Sequence, residues 1–191
     1  MGDPVDIPGY GKLSIASDAK APLLVVFGGI DVEGVQSGVY MWKYMDKVKD
    51  RFHIFVARSH AVNGTKAFGA LTSTLKEKGL TPSSQILYLF SGGYRPGMDL
   101  LPGGGAATFS SIFLVDIWMG VTKKSGSVVP DFYKKLADGH ASQITYVFTA
   151  FGANNEKARD YIAGKVTAIP VQGSSMHAHM STNTFAVDRL P

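Results

Sequence analysis

The feature that most constrains this chain is the regular return of short apolar runs rich in β-branched and aromatic residues. They read LLVVFGG (23–29), FHIFVAR (52–58), QILYLF (85–90), SSIFLVDIW (110–118), QITYVFTAFG (143–152) and VTAIPVQG (166–173). Continuous apolar runs of this length are the mark of strands buried on both faces, and they are far too short to cross a bilayer. KLSIAS (12–17) alternates instead, as a strand with one wet face does. Amphipathic stretches lie between the runs. Residues 35–50 carry Val39, Trp42 and Tyr44 or Met45 at helical spacing, and 65–79 place Phe68, Leu71 and Leu75 on one face before Gly79. Residues 129–139, which start at a proline, and 155–165 read as further helices. Strands alternating with helices imply an α/β fold, a mostly parallel sheet with helices on both faces.

The 191 residues fit one domain, 1–191, with a sizeable core. No internal repeat is visible, and PGGG (102–105) reads as a loop on the sheet rather than a boundary. The absence of cysteine excludes disulfides, thiolate metal sites and cysteine nucleophiles. A net charge of +4 with scattered lysines gives no basic stripe, so nucleic acid is not an expected partner. MGDPVDIPGYGKLS has no apolar signal core, which suggests a cytoplasmic protein; secretion from a longer precursor stays open.

In open parallel sheets, ligands bind outside the carboxyl ends of the strands. The residues just past the apolar runs are FGGID, ARSHAVNG, FSGGY, VDIWMG, FGANNE and QGSSMHAHMS. They hold, in chain order, Ser91, Asp116, His177 and His179. Acyl transfer needs a hydroxyl nucleophile, an imidazole to take its proton and a carboxylate to orient the imidazole. It also needs amide donors for an oxyanion. Gly29 or Ile30, after the early strand, and Gly92, after the serine, can supply them. Taken singly, Ser91 also reads as a helix N-cap, and the two histidines as solvated.

This order and placement resembles the α/β-hydrolase superfamily, in which the nucleophile stands on a sharp strand-to-helix elbow of pattern G-x-S-x-G. The elbow here is Leu89-Phe90-Ser91-Gly92-Gly93, with the second glycine present and leucine in place of the first. The resemblance implies an α/β-hydrolase-like sheet and a serine hydrolase or acyltransferase acting on an ester, thioester or amide through a covalent acyl-enzyme. By that resemblance Ser91 is the nucleophile and Asp116 the acid, with Glu156 second. His177 is the base, preferred on loop length, with His179 the alternate. Leu89 implies a displaced helix or a variant elbow.

Tyr94, Arg95, Trp118 and Met119 follow the Ser91 and Asp116 strands and are the candidate substrate-binding residues. The stretches after these strands are too short for a large lid, which suits a small-molecule, lipid or carrier-bound acyl substrate at an open site. Other readings are weaker. The pair His177 and His179 with His60 is a poor metal set, so no metal is expected. SGGYRPG lacks the Lys-Ser/Thr of a phosphate loop. No cofactor motif is present. His53 and His140 fall at the opposite sheet edge, in structural positions. A non-catalytic binding protein on the same fold is the alternative of a different class.

Overall fold

A computed structural model describes residues 3–31, 35–120, 128–150 and 155–191. The apolar runs form one eight-stranded sheet: β1 (Val5–Ile7), β2 (Gly11–Ser14), β3 (Leu23–Phe27), β4 (His53–Ala57), β5 (Gln85–Phe90), β6 (Ser111–Val115), β7 (Ile144–Phe148) and β8 (Thr167–Pro170). Their order is β1-β2-β4-β3-β5-β6-β7-β8. β2 pairs antiparallel with both β1 and β4, and every other pairing is parallel. The sheet is therefore mostly parallel, as its continuous apolar strands require. The hairpin β1–β2 was not legible in the sequence, because three residues between two prolines carry too little pattern.

Among the described residues six α-helices cover the sheet: α1 (Ser37–Met45), α2 (Gly64–Glu77), α3 (Tyr94–Leu100), α4 (Val128–His140), α5 (Glu156–Ala163) and α6 (Met176–Val187). Alternate residues of each central strand enter different cores. Leu23, Val25 and Phe27 of β3 join Leu87 and Leu89 of β5 against Leu71, Tyr133 and Ile162 of α2, α4 and α5. Leu24 and Val26 join Tyr88 and Phe90 against Met41 and Met45 of α1 and Ala186 and Val187 of α6. Burial on both faces is why these strands show no polar alternation.

His53 is fully buried, its Nδ1 accepting from the Ala16 amide at 3.2 Å. It is a structural histidine, as its place at a strand start implies. The segment after Gly173, read in the sequence as a loop carrying both candidate histidines, is instead helix α6, capped by the Ser175 side chain on the Ala178 amide. Its buried face includes His179, Thr182 and Asn183, so no apolar period marks it. Asn183 accepts from the Tyr88 hydroxyl at 2.7 Å in the buried interior, which ties α6 to the centre of β5.

Candidate active site

Ser91 stands immediately after β5 with φ of 49°, and Asp116 immediately after β6 with φ of 43°. Among the described residues they alone, besides glycines, have positive φ. That region is tolerable for aspartate, but for serine it costs about 1 kcal/mol or more and asks for a reason. Ser91 does not cap the helix that follows; the cap position of α3 falls to Gly93. The sharp turn directs the chain from strand to helix at the serine.

Glycine makes the turn possible. A Cβ on Gly93 would lie 2.4 Å from the Phe27 carbonyl oxygen, which accounts for the second glycine of the elbow. The missing first glycine is balanced from the other partner. A Cβ on Gly97 of α3 would lie 2.6 Å from Leu89 Cδ1 and 2.8 Å from the Tyr133 hydroxyl. The small residue that lets strand and helix approach has thus moved from the strand to the helix.

On one side of Ser91, Asp116 is fully buried. A buried carboxylate is tolerable only when its oxygens are satisfied. Oδ1 accepts from the Thr149 amide at 2.9 Å, and Oδ2 from the Thr149 hydroxyl at 2.6 Å. Oδ2 also pairs with His179 Nδ1 at 2.7 Å. With the carboxylate as acceptor, Nδ1 carries the hydrogen and Nε2 is the basic nitrogen. The His179 ring stacks on Phe90, the residue preceding Ser91, with centroids 4.7 Å apart. Imidazole and carboxylate thereby meet beside the residue that precedes the serine. His177 is exposed on the first turn of α6, and Glu156 is exposed at the start of α5. The imidazole that meets Asp116 is therefore the alternate of the pair, since α6 turns position 179 inward.

On the other side lie Gly29 and Ile30, after β3. A Cβ on Gly29 would come within 3.3 Å of Ser91 Cβ, and one on Gly92 within 2.9 Å of the Ile30 amide nitrogen. The three candidate oxyanion residues thus meet beside the serine.

The candidate substrate residues divide. Tyr94 and Trp118 are half-buried with rings 5.4 Å apart, and the Trp118 amide donates to the Ser91 carbonyl at 3.3 Å. A Cβ on Gly120 would strike the Trp118 indole at 2.4 Å, so that glycine lets the ring fold back. Arg95 is exposed and donates from Nε to the Tyr94 hydroxyl at 3.0 Å. Met119 is fully buried in the core with Tyr133 and Ile117. Thr149 was not found from sequence. Its signal was its place one residue past β7, hidden because the apolar run there reads on to 152. Among the described residues no group of three or more His, Cys, Asp or Glu side chains is arranged to hold a metal ion. No helix among them is long and apolar enough to cross a membrane.

The chain is similar to three solved structures over nearly its whole length. Against Est1E from Butyrivibrio proteoclasticus the TM-score is 0.59 at 8% identity, covering 97% of both chains. Against the esterase RhEst1 from Rhodococcus sp. ECU1013 it is 0.54 at 10% identity, covering 98% of both. Against 1H-3-hydroxy-4-oxoquinoline 2,4-dioxygenase it is 0.56 at 13% identity, covering 97% of both. No family model and no curated protein matches the sequence. With its strand order, its elbow and these neighbours, the chain has the α/β-hydrolase fold.

Proposed function

We propose that this protein is a serine hydrolase of small-molecule esters, with Ser91 as nucleophile, His179 as general base and Asp116 as the group that orients it. The observation that carries the reading is the buried Asp116–His179 pair at 2.7 Å, one strand from a serine held at positive φ. His179 takes the place that the sequence reading preferred for His177.

In the reaction, His179 Nε2 removes the Ser91 hydroxyl proton as Oγ attacks the acyl carbon. The negative charge on the acyl oxygen is met by the amides of Gly92 and Ile30. The tetrahedral species collapses to an acyl-serine, and the imidazolium returns its proton to the departing alcohol. Water then attacks the acyl carbon with His179 again as base, releasing a carboxylic acid and restoring the serine. Another alcohol, a thiol or an amine in place of water would make the same site an acyltransferase. Tyr94 and Trp118 border the serine and would contact the acyl or alcohol group, while buried Met119 would support them from beneath. The two esterase neighbours favour ester substrates over amides.

The test is labelling with a fluorophosphonate probe, followed by peptide mapping, in wild type and Ser91→Ala. Modification at Ser91 that is lost in the variant, together with turnover of p-nitrophenyl esters, is the expected result. A folded protein that neither labels nor turns over esters would make it a binding protein on a hydrolase fold.

A further inference from the structure

The segment Gly29–Asp31 is held by groups that the acid–base side of the site does not use. Tyr40 of α1 reaches it first. Its hydroxyl donates to the Ile30 carbonyl at 3.0 Å. Burial, reinforced by the nearby Asp31 charge, raises the Tyr40 phenol, so it keeps the proton it donates. A Cβ on Gly29 would lie 2.7 Å from that hydroxyl, so only glycine admits it.

Asp31 forms the second anchor. Its Oδ1 accepts from the Ser37 amide at 2.8 Å, at the start of α1, and its Oδ2 from the Ser59 hydroxyl at 2.7 Å. Its own amide donates to His60 Nδ1 at 3.3 Å. Ser59 and His60 follow β4, the neighbour of β3 on the side away from Ser91. These bonds employ the amide of Asp31 and the carbonyl of Ile30, the two ends of one peptide group. The Ile30 amide, one peptide earlier, is not among them, and its nitrogen is the one that lies against Gly92.

We propose that Tyr40, Asp31, Ser59 and His60 are positioning residues that fix the Gly29–Asp31 peptides so that the Ile30 N–H, and not the Gly29 N–H, meets the oxyanion formed at Ser91. The proposal rests on the hydrolase reading above and deepens it by choosing between the two candidate donors. An oxyanion hole works because its donors are aimed before charge develops. A glycine-rich strand end has no side chains to hold that aim, so it must be borrowed from α1 and from the β4 end. The residues act through the Ile30 peptide and touch no substrate.

The experiment uses Tyr40→Phe, which keeps the ring and removes the hydroxyl, and Ser59→Ala, which removes one Asp31 anchor from outside α1. Each is compared with wild type for p-nitrophenyl acetate turnover and for amide hydrogen exchange in the peptide spanning 28–31. Both variants should exchange faster there, and Tyr40→Phe should lose about 10- to 100-fold in kcat with KM changed less than about threefold, a fraction of the loss seen when a donor is removed outright. Ser59→Ala should show the same split with a smaller loss, and it carries the test if Tyr40→Phe fails to fold. Unchanged exchange in both variants would overturn the clamp itself. Faster exchange with unchanged kcat would overturn its role in aiming the donor. A wild type that turns over no ester and takes no label at Ser91 would sink the hydrolase reading, and the catalytic role with it. The exchange data would then still report whether the clamp exists.

Discussion

The two flanks of Ser91 are built from different materials. On the β6–β7 flank the parts are side chains: Asp116, Thr149 and His179, all nearly or fully buried and joined by bonds of 2.6–2.9 Å. On the β3–β4 flank the parts are peptide groups of Gly29–Asp31, aimed by half-buried Tyr40, Asp31 and His60 and by buried Ser59. A buried charge must be fully satisfied or it destabilises the fold, so the first flank is rigid by necessity. The second carries donors that must be placed but have no charge of their own until the reaction supplies one. It can tolerate partial exposure, and loss of one anchor should shift aim rather than stability.

The largest expected effects lie on the buried flank. His179→Ala should lower ester turnover by about 10³-fold or more, whereas His177→Ala should leave it within about twofold. Steady-state kinetics on both variants decides this, and equal losses would end the preference for His179. Asp116→Asn should cost about 10⁴-fold in kcat by disturbing the imidazole tautomer. Thr149→Val, which removes the 2.6 Å hydroxyl bond but not the amide bond, should destabilise by about 1–3 kcal/mol in denaturant unfolding, with a smaller loss of kcat.

A further variant probes the elbow that joins the flanks. Gly97→Ala puts a methyl 2.6 Å from Leu89 Cδ1 and should destabilise by about 1–3 kcal/mol. In a double-mutant cycle, Leu89→Ala should recover part of that loss, because it reopens the space from the strand side. Strict additivity would mean that Gly97 does not stand in for the missing glycine.

The smallest effect concerns the exposed flank and acid. Burial opposes ionisation of Asp31, but the Ser37 amide, the Ser59 hydroxyl and His60 outweigh it and hold the carboxyl below its ordinary value of 3.8. A depressed folded-state pKa contributes stability that is fully present above 3.8 and is lost as pH falls through the lower folded value. The melting temperature of Asp31→Asn should therefore fall modestly short of wild type near neutrality and converge with it in strong acid. A gap that widened on acidification would reverse the sign.

Legibility in the sequence followed the kind of interaction. The central strands and the strand ends that carry Ser91 and Asp116 could be read because each is marked by the stop of a continuous apolar run. Thr149 lay past a run whose apolar pattern overshoots the strand, and Tyr40 read as one more aromatic in an amphipathic helix. The preference for His177 came from treating α6 as a loop. The helix buries polar side chains, Asn183 against Tyr88 and His179 against Asp116, and polar residues buried in pairs leave no hydrophobic period.

The sequence by itself determined the layered α/β architecture and the strand end that carries the serine. Burial on both faces of a sheet can be met only by such continuous apolar runs, and the close approach of the elbow to the end of β3 only by glycine. Tertiary structure alone decided which histidine meets Asp116, which threonine satisfies it, and that Gly97 makes the room usually made before the serine. Each of these depends on distances between segments far apart in the chain, and a linear pattern carries the residue types of such partners but not their meeting.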